Sequence, residues 1–324
     1  MNQETDIDFI AVEQRNSEQK RKSDLGKRLK KYYLLYLIFL PFAVGYIIFC
    51  YIPLITGTVM SFQEFQIGKS IFEMPFNHFK NYSKIFENAE IIRALWNTLR
   101  ISILKLVFGF FPPIFLAIFI YDLNGKIYKK TCQTLVYIPY FFSWTIIYGI
   151  FFAFFSTGSG FINVILDKLG MSKIPFFTSN GWFLFLIVFS HIWKNSGWGS
   201  ILYLAGLTSI GPELYEAAKI DGCGPYKRIW YITFPSLLPI VSFSLILSIG
   251  GLLGSDFEQI LMFYNYSVYE VADVLSTWVY RVGLSSVRNY SVGIAVGLLN
   301  GIVGLVLTVS ANYTAKKVSG RGMW

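Results

Sequence analysis

Cysteine, histidine and charge are scarce in this chain, and each scarcity removes a class of function. The three cysteines, Cys50, Cys132 and Cys223, show no CxxC or metal-ligand spacing, and no functional role is expected of them. Two histidines, His78 and His191, are too few to build a metal site from this chain alone. HExxH, GxSxG and a Cys/His dyad are missing. No GxxxxGK[ST] loop exists: Gly68-Lys69-Ser70 has Gln63 where the first glycine would have to stand, so no phosphate cradle forms there. Charged residues make up 15% of the 324, against 54% hydrophobic and 19% aromatic. A soluble domain of this composition would have too little polar surface to cover itself.

What is present is a series of apolar runs of membrane length, since about 20 helical residues cross a ~30 Å hydrocarbon core. Hydropathy predicts an all-α membrane protein with six transmembrane helices, at roughly 33–60, 96–120, 132–154, 182–207, 234–254 and 292–313. Residues 1–31 form a polar tail that turns basic at Lys20–Lys31 and reads as a surface-lying or mobile segment rather than a domain. The first apolar run is too long for a signal-peptide core and lacks a small-residue cleavage site, so a retained helix is expected. The membrane domain is then 32–324.

The net charge of +9 is explained by position rather than by a nucleic-acid partner. Seventeen Lys and Arg lie in the tail, 121–131, 208–233 and 314–324; eight lie in 61–95, 155–181 and 255–291. Cytoplasmic loops retain positive charge, so both termini are expected inside. Two of the outer segments, Asn77–Phe86 and Val271–Leu284, have helical periodicity with an apolar face, suited to lying along the interface or packing over the spans.

Between spans four and five stands YEAAKIDGCGPYKRIWYITFP, Tyr215 to Pro235. Pro212 suits the first turn of a helix, with Gly211 ahead of it as cap. Glu213 and Glu216 fall near the positive end of that helix, and Leu214, Ala217 and Ala218 share one side. Gly222 can adopt the left-handed conformation that stops a helix. A second helix restarts at Pro225 and leads into span five, bent by Pro235 and Pro239. The product is a short cytoplasmic helix–turn–helix knob over about 208–235, or simply a well-capped loop.

At Glu216-Ala217-Ala218, Gly222, Ile232 and Pro235 the chain resembles the permeases of ABC importers, in the segment known as the EAA loop; Phe234 replaces the usual leucine. NTLRISILKLVFGF, QTLVYIPYFFSW, IWKNSGWGSILYLAGL, the stretch Phe257–Leu284 and the closing Met-Trp extend the likeness over roughly 33–324, toward carbohydrate-type permeases that import oligosaccharides or polysaccharide fragments. The resemblance implies a non-catalytic subunit of a bacterial cell membrane. It implies a second, usually different permease, two cytoplasmic ATPase subunits and an extracytoplasmic sugar-binding protein as partners. It also implies a coupling role for Glu213, Glu216, Ala217, Ala218, Asp221 and Gly222. No cofactor is expected; membrane lipid surrounds the chain.

Span four carries WKNSGWGS, Trp193 to Ser200, at mid-membrane depth. A cation there is costly unless it faces the bundle or a wet cavity. Trp193, Lys194, Asn195, Trp198 and Tyr203 offer the aromatic faces and donor–acceptor groups that bind sugars; small and polar residues also glue membrane helices. Lys105 could snorkel outward, and Asn300 suits an interhelical hydrogen bond. Gly250–Gln259 reads as an unwound end near a gate or as a helix stop. Two rival readings have their own signatures. A secondary transporter should show inverted repeats or intramembrane carboxylates, and neither is seen. A membrane-embedded glycan enzyme has only Asp6-Ile7-Asp8, a three-residue pattern in the tail.

Overall fold

The computed structural model describes residues 31–251, 257–283 and 290–319. The tail to residue 30, with its Asp6-Ile7-Asp8, the middle of Gly250–Gln259 and the closing Met-Trp lie outside the described residues. The chain divides into two compact units, Met1–Val59 and Met60–Trp324.

Most of the described residues are helical. The first helix, α1 (Tyr33–Ser61), is apolar throughout its length, and Tyr33–Tyr46 within it has no buried residue. It widens into a π turn at Ile47–Tyr51, two residues before Pro53, whose missing N–H leaves a carbonyl of the previous turn without its usual donor. In the second unit α2 (Lys80–Glu87) turns Asn81 and Ile85 inward. Asn81 donates to the carbonyls of Ser61 and Gln63 at 2.8 and 2.9 Å.

The central helix α3 (Ala89–Asp122) has 34 residues and starts earlier than hydropathy suggests. Asn88 caps it by accepting from the Glu90 and Ile91 N–H groups, and its charged first turns extend past the apolar run. α4 (Lys126–Tyr137), a 3₁₀ turn (Ile138–Phe141) and α5 (Trp144–Phe155) occupy the expected third span, but the chain bends by 106° at the break. Next come α6 (Phe161–Lys168), α7 (Asn180–Thr208), α8 (Pro212–Ile220) and α9 (Pro225–Gly250). α9 contains a π turn at Ile229–Thr233, again two residues before a proline, Pro235. Short helices α10 (Phe257–Phe263), α11 (Tyr269–Ala272) and α12 (Leu275–Trp278) precede α13 (Tyr290–Ser319).

Among the described residues four helices are long and apolar enough to cross a membrane: α1, α3, α9 and α13. The bent α4–α5 pair makes a fifth if it is one span. α7, at 29 residues, is long enough, but its polar middle dilutes its apolarity. The chain is therefore a multi-pass, all-helical membrane protein.

Three apolar clusters hold the second unit together. Ile147, Phe151, Phe183, Leu186, Ile187 and Phe263 belong to one. Ile91, Ala94, Trp278, Ala295 and Val296 form another. Ile114, Ala117, Tyr203, Leu207 and Leu237 form the third, with Tyr121, Ile210 and Ile229 at its edge. The segment of α10–α12 packs over the bundle rather than lying free: Val271, Ala272, Asp273, Val274, Leu275, Thr277 and Trp278 are all buried. Asn97 of α3 donates to the Glu270 and Asp273 carbonyls. Asp273 in turn takes Arg281 at 2.6 Å and the Thr277 hydroxyl at 2.8 Å. Burial alone would lower the Arg281 pKa; its bond to Asp273 outweighs that and leaves it raised.

α7 packs closely on α4 at Gly197, where a Cβ would overlap the Val136 carbonyl backbone. Gly197→Ala must push these helices apart, at about 1–3 kcal/mol. The expected result is less assembled protein at native transcript level, measured by quantitative blotting of membranes; native abundance would show that the two helices have slack.

Candidate functional site: the α8 knob and the polar middle of α7

α8 owes its limits to its ends. Pro212 occupies the first turn with Glu213 beside it, where negative charge meets the helix's positive end. At the other end Gly222 has φ +72°. The Cys223 N–H donates to the Ala218 carbonyl at 2.8 Å and the Gly222 N–H to that of Lys219 at 3.1 Å. These are the two bonds of a Schellman close, which needs a left-handed residue at this position.

No residue of α8 is buried. Glu213, Leu214, Glu216, Ala217 and Asp221 are exposed, whereas Tyr215 and Ala218, nearly one turn apart, are half-buried. Ala218 thus sits at the edge of the face that Leu214 and Ala217 present. A polar cavity of about 640 Å³ lies along one face of α8, lined by Tyr215, Glu216 and Lys219 of that helix and by Asp122, Lys129 and Arg228 among others. Tyr215 reaches across this region. Its hydroxyl lies 3.1 Å from Thr233 Oγ1, and its ring centroid 6.1 Å from that of Tyr121. Nothing in the spacing of the charged and small residues singled out Tyr215; the available signal was its place three residues before Ala218, one turn along the inward side.

The polar stretch of α7 is largely satisfied from within the chain. Lys194 Nζ donates to the Tyr140 carbonyl at 3.0 Å and to that of Phe142. It also lies 5.2 Å from the Trp144 ring centroid and 5.8 Å from that of Tyr140. These groups flank the α4–α5 break, so the cation sits where the bend strips carbonyls of helical donors. Asn195 Nδ2 donates to the His191 carbonyl at 3.0 Å. Ser196 and Ser200 donate to carbonyls of their own helix.

Tyr203 is buried, its hydroxyl 2.6 Å from Ser244 Oγ. Trp193 and Trp198 are exposed. Trp198 stacks on Tyr140 with centroids 4.6 Å apart and planes 6° apart, while Trp193 packs against Phe151 at 6.0 Å. The five α7 residues therefore do not converge on one point: two present aromatic faces, and Lys194 and Tyr203 hold neighbouring helices. Lys105 is buried on α3 rather than snorkelling outward. Asn300 lines an apolar groove with Val296, Leu299 and Val303. Among the described residues no group of three His, Cys, Asp or Glu is placed to hold a metal ion.

Residues 114–320 match the family described as binding-protein-dependent transport system inner membrane component. Protein LplB of Bacillus subtilis (strain 168) is 37% identical over 296 residues, spanning 91% of this chain and 92% of that protein. The polygalacturonan/rhamnogalacturonan transport system permease protein YteP of the same organism is 36% identical over 307 residues, 95% of each. One chain of a solved bacterial alginate ABC transporter, in complex with an alginate pentasaccharide-bound periplasmic protein, is 36% identical with a TM-score of 0.82, over 92% of this chain and 99% of that one. The prediction of a non-catalytic ABC-importer permease is thereby met, and the chain belongs to the family of binding-protein-dependent transport system inner membrane components.

Proposed function

We propose that this chain is one permease subunit of an ATP-driven, binding-protein-dependent importer of oligosaccharides or polysaccharide fragments. The observation that carries the reading is near-full-length identity of 36% with a permease named for polygalacturonan/rhamnogalacturonan transport and with a chain of an alginate transporter. In this reading α7 completes a six-span domain over 32–324, preceded by the polar tail, with both termini in the cytoplasm. A second permease supplies the other half of the pathway, two ATPase subunits dock from the cytoplasm, and an extracytoplasmic binding protein delivers the saccharide.

The exposed Glu213, Glu216, Ala217 and Asp221, with Ala218 at their edge and Gly222 setting the angle, form the coupling surface for the ATPase. On α7, Trp193, Asn195 and Trp198 offer the pathway its aromatic and amide groups, while Lys194 and Tyr203 fix the wall behind them. The test is reconstitution of the chain in proteoliposomes with a second permease, ATPase subunits and a binding protein from the same organism. ATP-dependent uptake is measured for a panel of uronate and neutral oligosaccharides; uptake of none would overturn the reading.

Orientation has its own test. Glu213→Cys, on a background without Cys50, Cys132 and Cys223, is expected to resist an impermeant thiol reagent in intact cells and to react in inverted vesicles. Labelling from outside would reverse the topology.

A further inference from the structure

We propose that Tyr215 is the strut that carries displacement of α8 into the membrane helices. The inference rests on the importer reading above and assigns the transmission step to one side chain.

α8 has no buried residue, so it is not fused to the bundle by a core of its own. Along one of its faces lies a polar cavity of about 640 Å³, whereas coupling is carried by packed side chains and hydrogen bonds. Tyr215 spans the gap with two chemically different contacts. Its ring meets Tyr121 at the end of α3. Tyr121 is in turn held by Lys129 of α4, which donates to its carbonyl at 2.9 Å and lies 5.1 Å from its ring centroid. The Tyr215 hydroxyl meets Thr233, which is only 4% exposed and is the last residue of the π turn in α9. A π turn interrupts the regular helix and is a place where helices bend. One tyrosine thus touches the end of α3 and the π turn of α9, while the exposed Glu213, Leu214 and Ala217 of α8 stay available to a partner. Lost contacts at Tyr215 should leave docking intact and break communication.

The experiment uses the whole reconstituted assembly and three readouts. These are co-purification of the ATPase, basal ATP turnover, and turnover stimulated by the binding protein loaded with an oligogalacturonate or an alginate pentasaccharide. Tyr215→Ala is expected to keep attachment and basal turnover and to lose at least about fivefold of the stimulation, the scale of a typical coupling free energy. Tyr215→Phe keeps the ring and removes the hydroxyl, and Thr233→Val removes its partner. Each is expected to give a smaller loss, and the double variant no more than either alone, as for two halves of one contact.

Native stimulation in Tyr215→Ala would overturn the strut. So would loss of attachment in step with stimulation, because Tyr215 would then belong to the docking surface. If the native assembly itself shows no ATP-dependent uptake, the importer reading fails instead, and the two failures are told apart by that control.

Discussion

A Gly222→Val variant is expected to reach the membrane at native abundance and to lose saccharide-stimulated ATP hydrolysis altogether. The cause is the backbone alone. Nothing lies within 4 Å of a Cβ built at Gly222, so valine meets no clash, but φ is +72°. A β-branched residue there costs about 1–2 kcal/mol. The chain can relieve that strain only by leaving the left-handed region, which breaks the bonds from Cys223 and Gly222 to the end of α8. α8 then swings relative to α9, and the surface formed by Glu213, Glu216 and Ala217 no longer fits its partner. Gly222→Asn, which tolerates the left-handed region, should retain most of the stimulation. Ala217→Trp supplies a complementary test, because Ala217 is exposed and a larger side chain there harms only a docked complex. Co-purified ATPase and stimulated turnover, measured together, decide the matter. Native values for Gly222→Val and Ala217→Trp would leave α8 as a well-capped loop.

The parts of the fold that were legible are those where one local signal had no competitor. Pro212 and Gly222 bracket α8 because a missing N–H suits a first turn and a left-handed close suits glycine; both act within a few residues. The apolar runs of α1, α3, α9 and α13 announce themselves because hydrocarbon tolerates little else. Hydropathy failed where polarity and helicity go together. Hydropathy places the start of α3 seven residues late, since Glu90 and Arg93 dilute apolarity without harming a helix that Asn88 caps. The 106° break between α4 and α5 was invisible, although Pro139 and the Ser143 cap mark it, because run length does not register direction. Tyr215 was missed for another reason. Its importance comes from Thr233 and Tyr121, which are 18 and 94 residues away in the chain, and no local pattern encodes such a meeting.

The same long-range logic makes Lys194→Met a harsh substitution in α7. Read from the sequence, Lys194 is a cation in the bilayer seeking a wet pathway. In the fold its ammonium donates to the carbonyls of Tyr140 and Phe142 and lies near the rings of Tyr140 and Trp144. The bend between α4 and α5 deprives those carbonyls of helical donors, and in hydrocarbon no water replaces them. Methionine matches the length of the stem but donates nothing. The loss is about 2–3 kcal/mol for charge-assisted bonds of this kind, enough to reduce assembled complex several-fold through quality control. Lys194→Arg keeps the charge and should restore part of the abundance. Asn195→Leu removes bonds within α7 itself, so it is expected to leave assembly near native and to lower uptake. Membrane abundance of the complex and uptake per assembled complex separate the two roles. If Lys194→Met assembles normally and loses uptake alone, the cation serves the pathway and the break is held by something else.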